Sequence, residues 1–303
     1  MTFAVAIAGA SACASVERLP DFDPASASLF ETDRPIATLD LYHGAGGARW
    51  RPTARTYRFE KLDTTGVSPG MEVEDAAGLR WDVKLGPEAR TEVVAARLLW
   101  AAGYHQPPTH YVAEWTLEGG PSPGAQPPAR FRPEIPGWKN EGNWSWSDNP
   151  FADTRELRAL YVMMALLNNW DLKTAQNVVY SRERETPRLL FVVRDVGASF
   201  GRSGWFDHTK DDVAGFEREP FLRGVDGDRV SLHFRTGYRR EPRLDDDLRV
   251  GDVAWICERL ARLRTEQYRD AFRAGGYARP EADRFVARLE AKVQEGLALG
   301  SRR

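Results

Sequence analysis

The chain reads as an α+β protein in which a strand-rich region with one helix precedes a mainly helical end. Three observations carry that reading. Between 51 and 135, short runs of alternating apolar residues are bounded by Gly and Pro, as in half-buried strands. A single helical stripe, Glu92, Val94, Ala95, Leu98, Leu99 and Ala102, interrupts them over Thr91 to Ala102. From Val250 onward the apolar spacing is helical, over Asp252 to Leu263, Thr265 to Ala274 and Pro280 to Leu297, with Gly275-Gly276 ending the second run. At 303 residues and 42% apolar, the chain can bury one large or two small cores.

Taken in order, residues 14 to 50 form an irregular lead-in that becomes ordered near Ala37 to Tyr42. Thr64 to Val73 is a glycine-containing turn between two strands, and Gly78 to Gly86 is a strand with Lys84 inside it. Strands His110 to Leu117 and Arg130 to Ile135 are split by Gly119 to Pro128, which is too rich in breakers for regular structure. Trp138, Trp144 and Trp146 follow among polar residues and glycines, where covering an apolar surface is the expected role. Asp153, with Glu156 three residues on, is the expected N-cap of a helix running to about Asn168 on a stripe of Leu157, Leu160, Tyr161, Met164 and Leu167. A polar loop leads to Val178-Val179-Tyr180, a charged turn, and Phe191-Val192-Val193; the chain is then loop-like through Gly227.

The net charge is −2, and the basic run Tyr238-Arg239-Arg240 is followed by Glu241 and Asp245-Asp246-Asp247, a mixed solvated face that predicts no nucleic-acid partner. Two cysteines exclude a disulfide framework, and Cys257 sits in an apolar stretch as an inert buried thiol. The five histidines lack zinc-ligand spacing. No run approaches the ~20 apolar residues of a membrane span. The start, Phe3 to Cys13, is an apolar run ending in small residues before a cysteine. It resembles the lipid-attachment box of bacterial lipoproteins, which implies a signal peptide, a lipid anchor at Cys13 and a place on the periplasmic side. Read as an ordinary strand, the same run leaves the protein cytoplasmic.

The stretch richest in chemistry is Asn168-Asn169-Trp170-Asp171-Leu172-Lys173-Thr174-Ala175-Gln176-Asn177, followed by a hairpin that returns Asp195-Val196-Gly197 to the same place. Asp171, Lys173, Asn177 and the Asp195 triplet resemble the catalytic loop and metal-binding triplet of the protein-kinase-like fold, in particular its atypical bacterial branches (HipA-like and CotH-like) and secretory-pathway kinases. Asn168-Asn169-Trp170 stands where His-Arg usually precedes the acid, and Val196 stands where Phe is commoner. Gln176 occupies the counted position of the metal-binding amide, but the apolar strand directly after Asn177 favours Asn177.

The resemblance implies a two-lobed fold: a lead-in or leader over 1–36, a small β-rich nucleotide lobe with one helix over 37–136, and a larger, mainly helical lobe over 137–303. It implies that ATP binds with Mg²⁺ or Mn²⁺. Lys84 would contact the inner phosphates, held by Glu92 with Glu88 as the alternative, beneath a turn bearing Gly66, Ser68 and Gly70. Asn177 or Gln176, with Asp195, would bind the metal. Asp171 would orient the acceptor and Lys173 would steady the transferring group. The implied activity is a phosphotransferase with an unidentified acceptor. A nucleotide-binding pseudokinase-like module and a nucleotidyl transferase using the same pocket are the other readings.

Overall fold

The structure is a computed structural model, and it describes residues 22–63, 70–183, 185, 188–204, 206–236 and 247–301. Cys13, Gly66, Ser68 and the charged run from Tyr238 to Asp246 lie outside the described residues.

The strand-rich part contains β1 (Ala27–Ser28), β2 (Thr56–Asp63), β3 (Gly70–Glu74), β4 (Arg80–Leu85), α1 (Glu88–Ala102), β5 (His110–Val112), β6 (Trp115–Glu118), β7 (Gly124–Gln126) and β8 (Ala129–Pro133). Seven of these strands form one sheet in the order β5-β8-β4-β3-β2-β6-β7. Its pairs are antiparallel except β2 with β6. Strand periodicity divides its side chains sharply. Trp81 and Val83 of β4 and Ala129 and Phe131 of β8 point into a small core with Tyr57, Met71, Val73, Trp115 and Leu117. The residues between them, Asp82 and Lys84 on β4 and Arg130 and Arg132 on β8, share the opposite face, with Asp82 opposite Arg132 and Lys84 opposite Arg130.

The rest of the chain comprises β9 (Trp138–Gly142), α2 (Arg155–Leu167), β10 (Asn177–Arg182), β11 (Leu189–Val193), α3 (Val213–Arg218), β12 (Leu222–Asp226), β13 (Arg229–Leu232), α4 (Val250–Leu260), α5 (Thr265–Ala274) and α6 (Arg279–Gly300). β1, β11, β10 and β9 form a second sheet in that order, and β12 and β13 a hairpin. The apolar faces of α2, α4, α5 and α6 meet in a large core with Phe200, Phe216, Phe272 and Phe285. Trp144 and Trp146 are buried in that core, and so is Cys257, whose thiol burial pushes up to about 12. No helix among the described residues is long and apolar enough to cross a membrane.

α1 buries Val94, Ala95, Leu98, Leu99 and Ala102 in the large core and also contacts β4, β5 and β8, so it joins the two parts. Three stretches depart from the sequence reading. The segment expected to be irregular supplies β7, which pairs with β6 and closes a hairpin at the sheet edge. The stretch expected to be loop-like through Gly227 contains α3 and the first strand of the β12–β13 hairpin. The cap of α2 is Thr154, whose hydroxyl accepts from the Leu157 amide, while Asp153 one residue earlier is held at φ 65°.

Candidate functional site

Lys84 stands at the centre of the charged face of β4. Its ammonium donates to both oxygens of Asp195 at 2.8 and 2.9 Å. It also lies 2.7 Å from Glu88 and 3.5 Å from Glu92. Burial works against the charge of Lys84, but Glu92, Asp195 and Glu88 outweigh it and hold the pKa above its usual value. Burial likewise pushes the Asp195 carboxyl up, and Lys84 more than reverses that, so it stays below its usual range. Of the two acids expected beside Lys84, the alternative, Glu88, is the nearer. Glu92 is fully buried; its Oε1 accepts from Arg132 at 2.6 Å and lies 2.9 Å from the Arg130 guanidinium.

Asp195 arrives by the β10–β11 hairpin. Asn177 pairs with Val193 at its base, and the Gln176 carbonyl just before it accepts from the Arg194 amide at 2.9 Å and the Asp195 amide at 3.5 Å. Gly197 then lets α1 approach, because a Cβ there would meet the Glu88 Cβ at 2.6 Å. The Thr91 hydroxyl, one turn along α1, donates to the Gly197 carbonyl at 2.6 Å.

Asp171 is delivered by the end of α2. Asn168 takes the left-handed conformation, φ 52°, that terminates the helix. The Asn169 side chain accepts from the Asp171 amide and donates to Ser199 Oγ, tying this loop to the segment after Asp195. Asp171 Oδ2 accepts from Gln176 Nε2 at 2.6 Å and from Lys173 Nζ at 3.2 Å. Asp171 Oδ1 and Gln176 Oε1 are buried and have no hydrogen-bond partner among the described residues.

The two candidate amides therefore have different settings. Gln176 joins Asp171 to the base of the Asp195 hairpin. Asn177 is fully buried at the start of β10 and donates to the Trp144 carbonyl at 3.0 Å. Its Oδ1 also has no partner among the described residues. Gly70 begins β3 opposite Lys84, and a Cβ there would sit 3.3 Å from the Val83 carbonyl.

Sequence reasoning missed the acid–arginine partners of the charged face. Asp82 contacts Arg130 at 3.0 Å and Arg132 at 3.4 Å. Burial raises its pKa and Arg130, Arg132 and Arg194 overcome that, bringing it down to about 2. The available signal was alternation: Arg130 and Arg132 flank Phe131 as Asp82 and Lys84 flank Val83. Beside this cluster, between the seven-stranded sheet and the β9–β10 pair, opens a cavity of about 580 Å³ lined by Asp82, Arg132, Ile135, Trp138, Tyr180 and Arg194, among others.

Among the described residues, no group of three or more His, Cys, Asp or Glu is placed to hold a metal ion. A cation that takes only one or two protein carboxylates and completes its shell with phosphate and water needs no such group. The residues that would hold such a cation are Asp195 with Gln176 or Asn177, and the side-chain oxygens of these two amides have no hydrogen-bond partner among the described residues.

No protein-family model matches the chain, and no curated protein matches it. Among solved structures, it is similar to the Helicobacter pylori proinflammatory kinase CtkA at 7% identity and a TM-score of 0.48, over 83% of this chain and 99% of that one.

Proposed function

We propose that this chain is a phosphotransferase of the atypical kinase-like class that takes a nucleoside triphosphate, with ATP the first donor to test, together with Mg²⁺ or Mn²⁺. The observation that carries the reading is convergence: a lysine inside a sheet strand and the acid after a hairpin are joined by hydrogen bonds of 2.8 and 2.9 Å, and the loop bearing the acid after a helix is tied to the same segment through Asn169 to Ser199 and through the Gln176 carbonyl to the Arg194 and Asp195 amides. A packed fold gains nothing obvious from leaving Asp171 Oδ1 and Gln176 Oε1 unpaired, whereas a phosphoryl-transfer site uses such oxygens.

In this reading the part before 137 is the nucleotide lobe and the part from 137 on the acceptor lobe. The Lys84 ammonium binds the inner phosphates, drawn away from Asp195 by their charge, and Glu88 and Glu92 keep it oriented. Asp195 and Gln176 hold the cation, which would neutralise phosphate charge. The free oxygen of Asp171 accepts a hydrogen bond from the acceptor hydroxyl and aligns it, and Lys173 offsets charge on the transferring group.

One observation favours nucleotide binding without transfer: both oxygens of Asp195 are engaged by Lys84. A thermal-shift titration with ATP and Mg²⁺ or Mn²⁺, repeated on Asp195→Ala, tests the shared part of the two readings. Metal-dependent stabilisation lost in the variant is expected, and equal shifts in both proteins would count against it. Mass spectrometry of acceptors then separates added phosphate, added nucleotide and no transfer.

A further inference from the structure

The cavity beside Asp82 and Arg132 has an unusual lining for a slot that takes a flat, neutral ring. Leu62, half exposed, and the Trp138–Tyr180 ring pair, 5.5 Å apart, supply apolar surface. The remainder is charged, and most of those charges are matched. Lys61 pairs with Glu72 at 2.9 Å, Arg80 with Glu134 at 3.0 Å, and Arg132 with Glu92 at 2.6 Å.

Arg194 is the exception. Its guanidinium forms no ion pair among the described residues, and its side-chain contact is a long one, 3.4 Å to the Tyr180 hydroxyl. Asp82 lines the same cavity, and the two charges act on each other without touching. The ion pairs of Asp82 all run to its Oδ2. The Arg194 guanidinium and the Asp82 carboxylate thus line one cavity without forming an ion pair with each other.

These two groups have a chemical complement. A guanidinium fork prefers two adjoining acceptors, and a carboxylate prefers adjoining donors. Guanine offers both at once, O6 and N7 to the fork and N1–H with N2–H₂ to the acid. Adenine presents an amino group between its acceptors, so the fork meets a donor where it needs a second acceptor. Of the backbone at this rim, Pro133 carries no N–H and the Glu134 amide is spent on the Arg80 carbonyl at 2.8 Å.

We propose that Arg194 and Asp82 read a guanine base in this cavity, so that GTP is the preferred donor; the inference rests on the nucleotide-binding reading above. The test is calorimetric titration of the full chain with ATP, GTP, CTP and UTP in the presence of Mg²⁺, for the natural protein and for Arg194→Lys and Asp82→Asn, with circular dichroism confirming that each variant is folded. The expected result is GTP binding roughly tenfold or more tighter than ATP. Each variant should bring that ratio to about threefold or less, since the guanine contacts are lost. Arg194→Lys keeps the charge and removes the fork, so it remains informative if Asp82→Asn unfolds through loss of its arginine partners. ATP binding as tightly as GTP in the natural protein, or a GTP preference untouched in a folded Arg194→Lys variant, would overturn the assignment and leave the phosphotransferase reading standing. Failure of all four nucleotides to bind would overturn both.

Discussion

The Lys84 ammonium and the Asp195 carboxylate are joined by two hydrogen bonds of 2.8 and 2.9 Å across a separation of 111 residues. The bond is one arm of a larger balance, because the same ammonium also faces Glu88 and Glu92. Replacing Lys84 by Met leaves three acids around a buried site without their shared cation. Replacing Asp195 by Asn leaves Lys84 with two carboxylates and a surviving hydrogen-bond acceptor. Lys84→Met should therefore destabilise by about 3–5 kcal/mol, and Asp195→Asn by about 1 kcal/mol. Urea denaturation measures both, and the reverse ranking would refute the picture of one cation serving three acids.

Much of this arrangement was legible in the sequence because its polar residues sit at the borders of apolar runs. Lys84 interrupts a strand pattern, Asp171 follows a helical stripe, and Asp195 follows Val192-Val193. The strand-rich beginning and helical end were legible for the same reason. The arginines were not. A lone arginine in a strand usually marks an exposed edge, and only the pairing of β8 with β4 turns Arg130 and Arg132 toward Glu92 and Asp82. The burial of α1 was partly hidden too, because Arg97 lies within it, fully buried and bonded to the Thr109 and Tyr42 carbonyls. The preference for Asn177 over Gln176 rested on the strand that follows. That strand buries Asn177 and leaves Gln176 beside Asp171.

This difference between the two amides gives a clean contrast. Asn177→Ala removes a bond to the Trp144 carbonyl deep in the fold and should cost about 1–3 kcal/mol of stability. Gln176→Ala sits at the partly exposed loop end and should cost less than about 1 kcal/mol, while weakening metal-dependent nucleotide stabilisation. Chemical denaturation and thermal-shift titration on the two variants read the two effects separately. Loss of the nucleotide response in a stable Asn177→Ala variant, with Gln176→Ala unchanged, would make Asn177 the metal-facing residue, as the sequence reading prefers.

Gly197 is the point where the segment after Asp195 meets the start of α1. A methyl group there would reach the Glu88 Cβ at 2.6 Å, and the neighbouring Glu88 carbonyl at 3.3 Å limits escape. Gly197→Ala should destabilise by about 1–3 kcal/mol through overpacking, and by pushing Glu88 away from Lys84 it should also weaken nucleotide binding. A neutral result in both denaturation and titration would mean that α1 and the Asp195 loop are free to separate.

Between pH 7.5 and 4.5 the pH response is set mainly by two buried histidines. Burial and Arg34 lower the His105 pKa to about 4, and burial with Arg97, His43 and Arg51 lowers that of His110 to about 3, from an ordinary value of 6.5. His105 also makes a 2.7 Å contact with the Ser28 hydroxyl that a neutral ring can satisfy. Because both folded values lie below the unfolded one, the unfolded chain takes up protons first as the solution is acidified. Their stabilising contribution is complete above pH 6.5 and shrinks as pH falls toward 4. The slope approaches about 1.4 kcal/mol per pH unit for each ring. Asp82, held at about 2 against an ordinary 3.8, adds its own loss only below that range. Urea midpoints measured from pH 7.5 to 4.5 should therefore fall steadily in the natural protein. A His105→Gln, His110→Gln double variant, less stable at neutral pH, should show a much flatter profile over the same interval. An unchanged slope over this interval in the double variant would show that the two rings do not set the acid sensitivity.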